Sequence, residues 1–84
     1  MTEIASRAAC KRFADGTELG ATYALHADGT VTRQITSANG VPQANTSTPF
    51  RQLDETERRV NCADGVSAYL FLVDVIRADG WTAA

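Results

Sequence analysis

Residues 19–36, LGATYALHADGTVTRQIT, decide the fold, because two runs with a period of two flank the ADG tripeptide at 27–29. Such alternation is typical of strands with one buried face. A two-residue loop would pair Leu25 with Thr32 and mix the two faces, whereas a three-residue loop pairs Leu25 with Val31. The second register keeps apolar residues together and needs a left-handed glycine in the turn. The stretch therefore predicts a β-hairpin.

The ADG tripeptide recurs at 14–16, 63–65 and 78–80, and the ANG at 38–40 is a near copy. A calcium loop needs several oxygen ligands at fixed spacing, whereas each aspartate here stands alone. Aspartate followed by glycine instead favours turns and helix ends. We therefore interpret the repeats as turns and helix ends and expect no metal site.

Residues 3–13 are rich in alanine, which favours a helix, with a strand as the alternative. A hairpin through 14–16 would set Lys11 and Arg7 on the apolar face of the sheet, so we predict the helix. A third strand beyond residue 38, paired in register with the hairpin, would likewise set polar side chains on the apolar face of the sheet. Residues 38–50 are therefore predicted to form a polar loop.

The C-terminal third carries helix signals. Asp54 and Glu57 match a capping box, and Gly80 is placed to end a helix in a Schellman motif. Between them, apolar residues recur at helical spacing, at positions 62, 66, 69, 73 and 76. We predict one kinked helix or two helices over 54–79, with a buried strand at 68–77 as the alternative.

Together these patterns predict one small α+β domain over residues 1–84. Its order would be a helix, a β-hairpin, a long loop, and one or two C-terminal helices packed on the hairpin. A chain of this length buries a modest core, so association with another molecule would add to its stability.

Composition narrows the function classes. The formal net charge is −2, and only one of the eight basic residues is lysine. An acidic chain has no general attraction to nucleic acid, and no apolar run reaches the ~20 residues that span a bilayer. The N-terminus has no apolar export signal, so we expect a cytoplasmic protein with its two cysteines reduced. The alanine-rich, lysine-poor composition is typical of a GC-rich bacterium or its phages.

The predicted last helix has more apolar surface than a hairpin can cover. Residues 68–76 read AYLFLVDVI, with one polar side chain. A helix that is apolar nearly all round is buried on more than one side. We predict that Ala68, Phe71 and Val75 form an interaction surface. The corresponding function is a non-enzymatic protein–protein interaction module, such as an adaptor, inhibitor or accessory subunit, that acts as a homodimer.

Two alternatives remain. One is a small-ligand binder or small enzyme with a site between hairpin and helix, formed by Tyr23, His26 and Arg33, in which the inward arginine needs an anionic partner. The other is nucleic-acid binding, through Arg7, Lys11 and Arg12 on one side of the predicted first helix and through the arginines at 58–59, although neighbouring glutamates explain that pair equally well. No catalytic residue is predicted and no cofactor is expected.

Overall fold

Within residues 2–84, which the computed structural model describes, six antiparallel strands form one sheet and two helices lie in the C-terminal third. The long strands are β1 (Glu3–Arg12), β2 (Glu18–His26) and β3 (Thr30–Ala38), and the short ones are β4 (Val41–Pro42), β5 (Thr48–Gln52) and β6 (Thr82–Ala83). Helices α1 (Glu55–Asn61) and α2 (Gly65–Ala78) lie between β5 and β6. The spatial order is β4-β3-β2-β1-β6, and β5 also pairs with β3.

The predicted hairpin is confirmed. Leu25 pairs with Val31, and the register continues through the inner face of β2 and β3. Gly29 has a φ of 87°, the left-handed conformation that the turn requires. Asp28 Oδ1 accepts a hydrogen bond of 3.0 Å from the Thr30 N–H, so the turn aspartate binds backbone rather than a ligand.

The predicted first helix is wrong, since residues 3–12 form strand β1 and pair with β2. The register is the one that the sequence argument rejected, with Lys11 opposite Leu19 and Arg7 opposite Tyr23. Long basic side chains tolerate these positions because their stems pack on apolar groups. Both side chains are half-buried, and Arg7 Nε is buried without a hydrogen-bond partner within residues 2–84. The Arg7 guanidinium lies 4.6 Å above the ring centre of Tyr69. Strand pairing thus overrides the helix propensity of alanine.

The predicted loop over 38–50 is also wrong at both ends. β4 pairs with the end of β3, and β5 pairs with its beginning. A bulge separates the pair Val31–Arg51 from the pair Thr32–Pro49. A register test that assumes an unbroken ladder cannot find such a strand. Pro49 is compatible with β5 because this strand lies at the edge of the sheet.

The aspartates of the repeats at 14–16 and 63–65 bind backbone N–H groups, as the interpretation of turns and helix ends requires, although 14–16 forms the turn between β1 and β2 and not the end of a helix. Asp15 Oδ1 accepts from the Thr17 N–H at 2.9 Å, and Asp64 caps α2 by accepting from the Ser67 N–H at 2.7 Å. This backbone hydrogen bond lowers the pKa of Asp64. The repeat at 78–80 closes the other end of the helix, where Gly80 has a φ of 83°.

Both helix-end predictions are confirmed. The Asp54 side chain accepts from the Glu57 N–H at 2.8 Å, and the Glu57 carboxylate accepts from the Asp54 N–H, which completes the capping box. At the end of α2, the Trp81 N–H donates to the Ile76 carbonyl at 2.9 Å, as a Schellman motif requires. Two helices form, rather than one kinked helix.

Helix α2 packs across β1, β2 and β6, and the core lies between this helix and the sheet. The fully buried side chains of α2 are Ala68, Leu72 and Ile76. They meet an inner sheet face whose buried residues include Ala9, Ala21, Tyr23, Leu25 and Val31. The small side chain of Ala68 allows the helix and the sheet to approach closely.

Candidate functional site

An ion pair with a buried tyrosine joins the end of α2 to the middle of the sheet. The Tyr23 hydroxyl and the Arg33 guanidinium both donate to Oδ2 of Asp79, at 2.6 and 2.9 Å. Tyr23 and Arg33 are paired residues on the inner face of β2 and β3, and Asp79 is the C-cap of α2. A carboxylate at a helix C-terminus opposes the helix dipole, and the arginine offsets that effect.

Two aromatic rings flank this cluster. Phe50 and Trp81 each pack edge-on against Tyr23, with ring centres 5.6 and 6.0 Å away. The Arg33 guanidinium also lies over both rings, 5.4 Å from the centre of Phe50 and 5.8 Å from that of Trp81. Such cation–π contacts help to hold the guanidinium in place. β5 and the segment after α2 therefore pack around one arginine.

Within the cluster, the hydrogen-bond donors Tyr23 Oη and Arg33 Nη1 are satisfied by the carboxylate of Asp79. Burial, followed by the hydrogen bond to Asp79, raises the pKa of Tyr23 to about 12, so the phenol remains protonated near neutral pH. Both side chains of the ion pair are about one-third exposed, with 33% for Arg33 and 30% for Asp79. The carboxylate partner that an inward arginine needs comes from the chain itself.

The three residues of the ligand-site alternative do not come together. Tyr23 and Arg33 are neighbours, but His26 projects from the opposite face of the sheet because side chains alternate along a strand. His26 Nε2 lies 2.9 Å from Oγ1 of Thr32, and its Nδ1 has no hydrogen-bond partner in the part of the chain that the structure describes. Within residues 2–84, no hydrogen bond joins this imidazole to Tyr23, Arg33 or Asp79.

Sequence reasoning missed Asp79 as a member of the cluster. The tripeptide at 78–80 was interpreted only as the end of a helix, which is one of its two roles. The available signal was Arg33, which the hairpin register places on the inner face and which requires an anion. Because 46 residues separate Arg33 from Asp79, only the path of α2 across the sheet brings them together.

The residues predicted as an interaction surface lie mainly inside the chain. Ala68 and Val75 are buried in the core against the sheet. Phe71 is partly buried on the flank of α2 that faces β5, where the Arg51 guanidinium lies 5.5 Å from its ring centre. These three side chains therefore pack within the chain's own fold.

The exposed apolar side chains of α2 lie on its other side, and we call them the outer stripe: Val66, Tyr69, Leu70 and Val73. Val66 is 71% exposed, Leu70 58% and Tyr69 38%, and Val73 is partly exposed. Spacings of three and four residues place them on one face of the helix. Val60 at the end of α1 is also exposed, at 64%.

The cysteines are free thiols. Cys10 is exposed on β1, and Cys62 is partly buried after α1. Burial raises the pKa of the Cys62 thiol, which disfavours the nucleophilic thiolate. Its Sγ lies 3.6 Å from the carbonyl oxygen of His26 rather than against the imidazole. In residues 2–84, no three His, Cys, Asp or Glu side chains are grouped closely enough to hold a metal ion.

The basic doublet at 58–59 belongs to the exposed surface of α1. Arg59 forms an ion pair of 2.8 Å with Glu55, one helical turn earlier.

Among the helices described, none is long and apolar enough to cross a membrane. No protein-family model matches this chain, and the comparisons with curated proteins and with solved structures found no match.

Proposed function

We propose that this protein is a protein–protein interaction module that works through the outer stripe of α2. The observation that carries the proposal is the exposure of Val66 and Leu70, at 71% and 58%, on a helix whose opposite side already forms the core. Exposed apolar groups that lie next to one another are typical of contact surfaces. The stripe lies on the chain's main helix and thus on a rigid support.

The fold itself does not need the side chains of Val66 and Leu70. Leu72 and Ile76 anchor α2 to the sheet, and the Schellman motif and the Asp64 cap define its ends. Leu70 and Val66 could be polar without loss of any of these contacts. Apolar residues at such positions have a physical rationale when another molecule covers them.

The arrangement of Arg33 argues for interaction rather than ligand capture. A small-ligand site at the inner face would need this arginine to meet an external anion, and Asp79 meets it at 2.9 Å. The ring centres of Phe50 and Trp81 also lie 5.4 and 5.8 Å from its guanidinium. The cluster thus supports a structural role, in which it holds α2, and with it the outer stripe, against the sheet.

Site-specific cross-linking tests the proposal. A photoreactive amino acid replaces Leu70 in one version of the protein, and Ala8, exposed on β1, in a control version. In cells that express the protein, we expect a protein adduct from position 70 that excess unlabelled protein suppresses and excess Val66→Asp protein does not. An adduct equally abundant from position 8, or none from position 70, would contradict the proposal.

A further inference from the structure

We propose that the outer stripe binds a second copy of this chain, with the two α2 helices antiparallel across a two-fold axis. This inference rests on the proposed function, because it names the partner of the same surface. It is carried by three features of α2: the spacing of its outward side chains, the charges at its two ends, and the area that a helix of 14 residues offers.

The spacing matches what an antiparallel helix pair needs. Val66, Leu70, Val73 and Arg77 follow one another at intervals of four, three and four residues, which is the repeat of a helix–helix seam. When two such helices run in opposite directions, Leu70 of one copy packs beside Val73 of the other. The same register sets Val66 of one copy beside Arg77 of the other. Each of these two pairs occurs twice, once on either side of the two-fold axis. The surface is therefore self-complementary, as a two-fold contact requires.

The charges favour the antiparallel direction. Arg77 is exposed in the last turn of α2 and makes no ion pair within residues 2–84, whereas Asp64 carries its charge at the N-cap. Antiparallel pairing brings Arg77 of each copy to the Asp64 end of the other, and parallel pairing would bring the like charges together.

The size of the surface sets the expected strength. A helix of 14 residues is about 21 Å long at ~1.5 Å per residue, so one helix pair lies at the low end of the area that specific interfaces bury. Tyr69, the remaining member of the outer stripe, adds apolar area beside this seam. We therefore expect a reversible dimer with a dissociation constant on the order of micromolar.

Sedimentation equilibrium from low micromolar to about millimolar protein tests this inference. We expect a monomer–dimer equilibrium that Leu70→Asp weakens at least tenfold and that the matched control Ala8→Asp leaves unchanged. Asp64→Ser keeps a capping side chain and removes the charge. Asp64→Ser and Arg77→Gln should each weaken the dimer about two- to fivefold, and the double variant should be no weaker than either single one.

Three other results would each overturn a different part of the proposal. A wild type that remains monomeric at all concentrations overturns the second-copy inference, and the cross-linking at position 70 then tests the proposed function independently. A dimer that Leu70→Asp leaves intact overturns the assignment of the interface to α2. A dimer that Leu70→Asp dissolves, but in which the effects of Asp64→Ser and Arg77→Gln are absent or simply additive, overturns the antiparallel pairing.

Discussion

The hydroxyl of Tyr23 donates a hydrogen bond of 2.6 Å to the carboxylate of Asp79, and this bond ties the C-terminal end of α2 to the centre of the sheet. The two residues lie 56 positions apart in the chain. Because Arg33 donates to the same carboxylate oxygen, one acceptor fixes two strands and one helix relative to each other.

Removal of the Tyr23 hydroxyl should lower the free energy of unfolding by about 1 kcal/mol. Tyr23→Phe keeps the buried ring and deletes a hydrogen bond to a charged group, whose contribution is reduced because Asp79 is partly exposed. Urea unfolding of the variant measures the loss. Tyr69→Phe is the matched control, since the hydroxyl of Tyr69 makes no hydrogen bond within residues 2–84, and equal losses in the two variants would contradict the assigned role of the bond.

Stability should also fall at alkaline pH because of this tyrosine. The pKa of Tyr23 is about 12 in the folded protein, whereas an unfolded tyrosine titrates near 10. The contribution of the protonated phenol is therefore complete below about pH 10 and is lost as the pH rises through about 12. The difference in urea midpoint between wild type and Tyr23→Phe should shrink over this window. A difference that stays constant up to pH 12 would speak against a raised pKa.

A side chain at Gly29 should lower the free energy of unfolding by about 1–2 kcal/mol. Its φ is 87°, and an added Cβ would lie 3.1 Å from the Gln52 side chain and 3.3 Å from that of Arg58. Gly29→Ala, measured by chemical denaturation, combines backbone strain with this crowding. Gly16→Ala is the control for strain alone, since Gly16 has a φ of 90° and open space around it. The prediction fails if Gly16→Ala is the more damaging change.

Two leucines of α2 should respond differently to truncation. Leu72 is fully buried, so Leu72→Ala should lower the free energy of unfolding by about 2–5 kcal/mol. Leu70 is 58% exposed, so Leu70→Ala in the monomer should change it by no more than about 0.5 kcal/mol. Thermal or urea unfolding at dilute concentration measures both. Similar losses from the two changes would show that the helix is rotated from the orientation described.

The local features were predictable because each depends on residues a few positions apart. The hairpin register follows from alternation between 19 and 36 and from a glycine at the turn. The capping box at Asp54 and the Schellman motif at Gly80 are likewise short-range hydrogen-bond patterns. In each case the side chain or the glycine acts on backbone within one turn, so the sequence contains the whole interaction.

The first strand was not predictable in this way. Alanine favours a helix when nothing else acts, and the charges of Arg7 and Lys11 argue against an apolar sheet face. The ladder with β2 supplies backbone hydrogen bonds over the whole of β1, and the Tyr69 ring receives the Arg7 guanidinium. That ring belongs to a helix 62 positions later, so its contribution could not be read from residues 3–13.

The orientation of α2 was the other feature beyond the sequence pattern. Two sides of this helix are apolar, and the spacing alone favoured burial of the stripe that contains Val66 and Tyr69, which are exposed. A helix that is apolar nearly all round can pack in more than one rotation, and the choice depends on the shape of the surface beneath it. The sequence by itself determined the turn at 27–29 with its hairpin and the helix caps, because these are hydrogen-bond patterns within a few residues. Only the tertiary structure decided which strands pair, which face of α2 is covered, and that Asp79 meets Arg33, since these depend on contacts between distant parts of the chain.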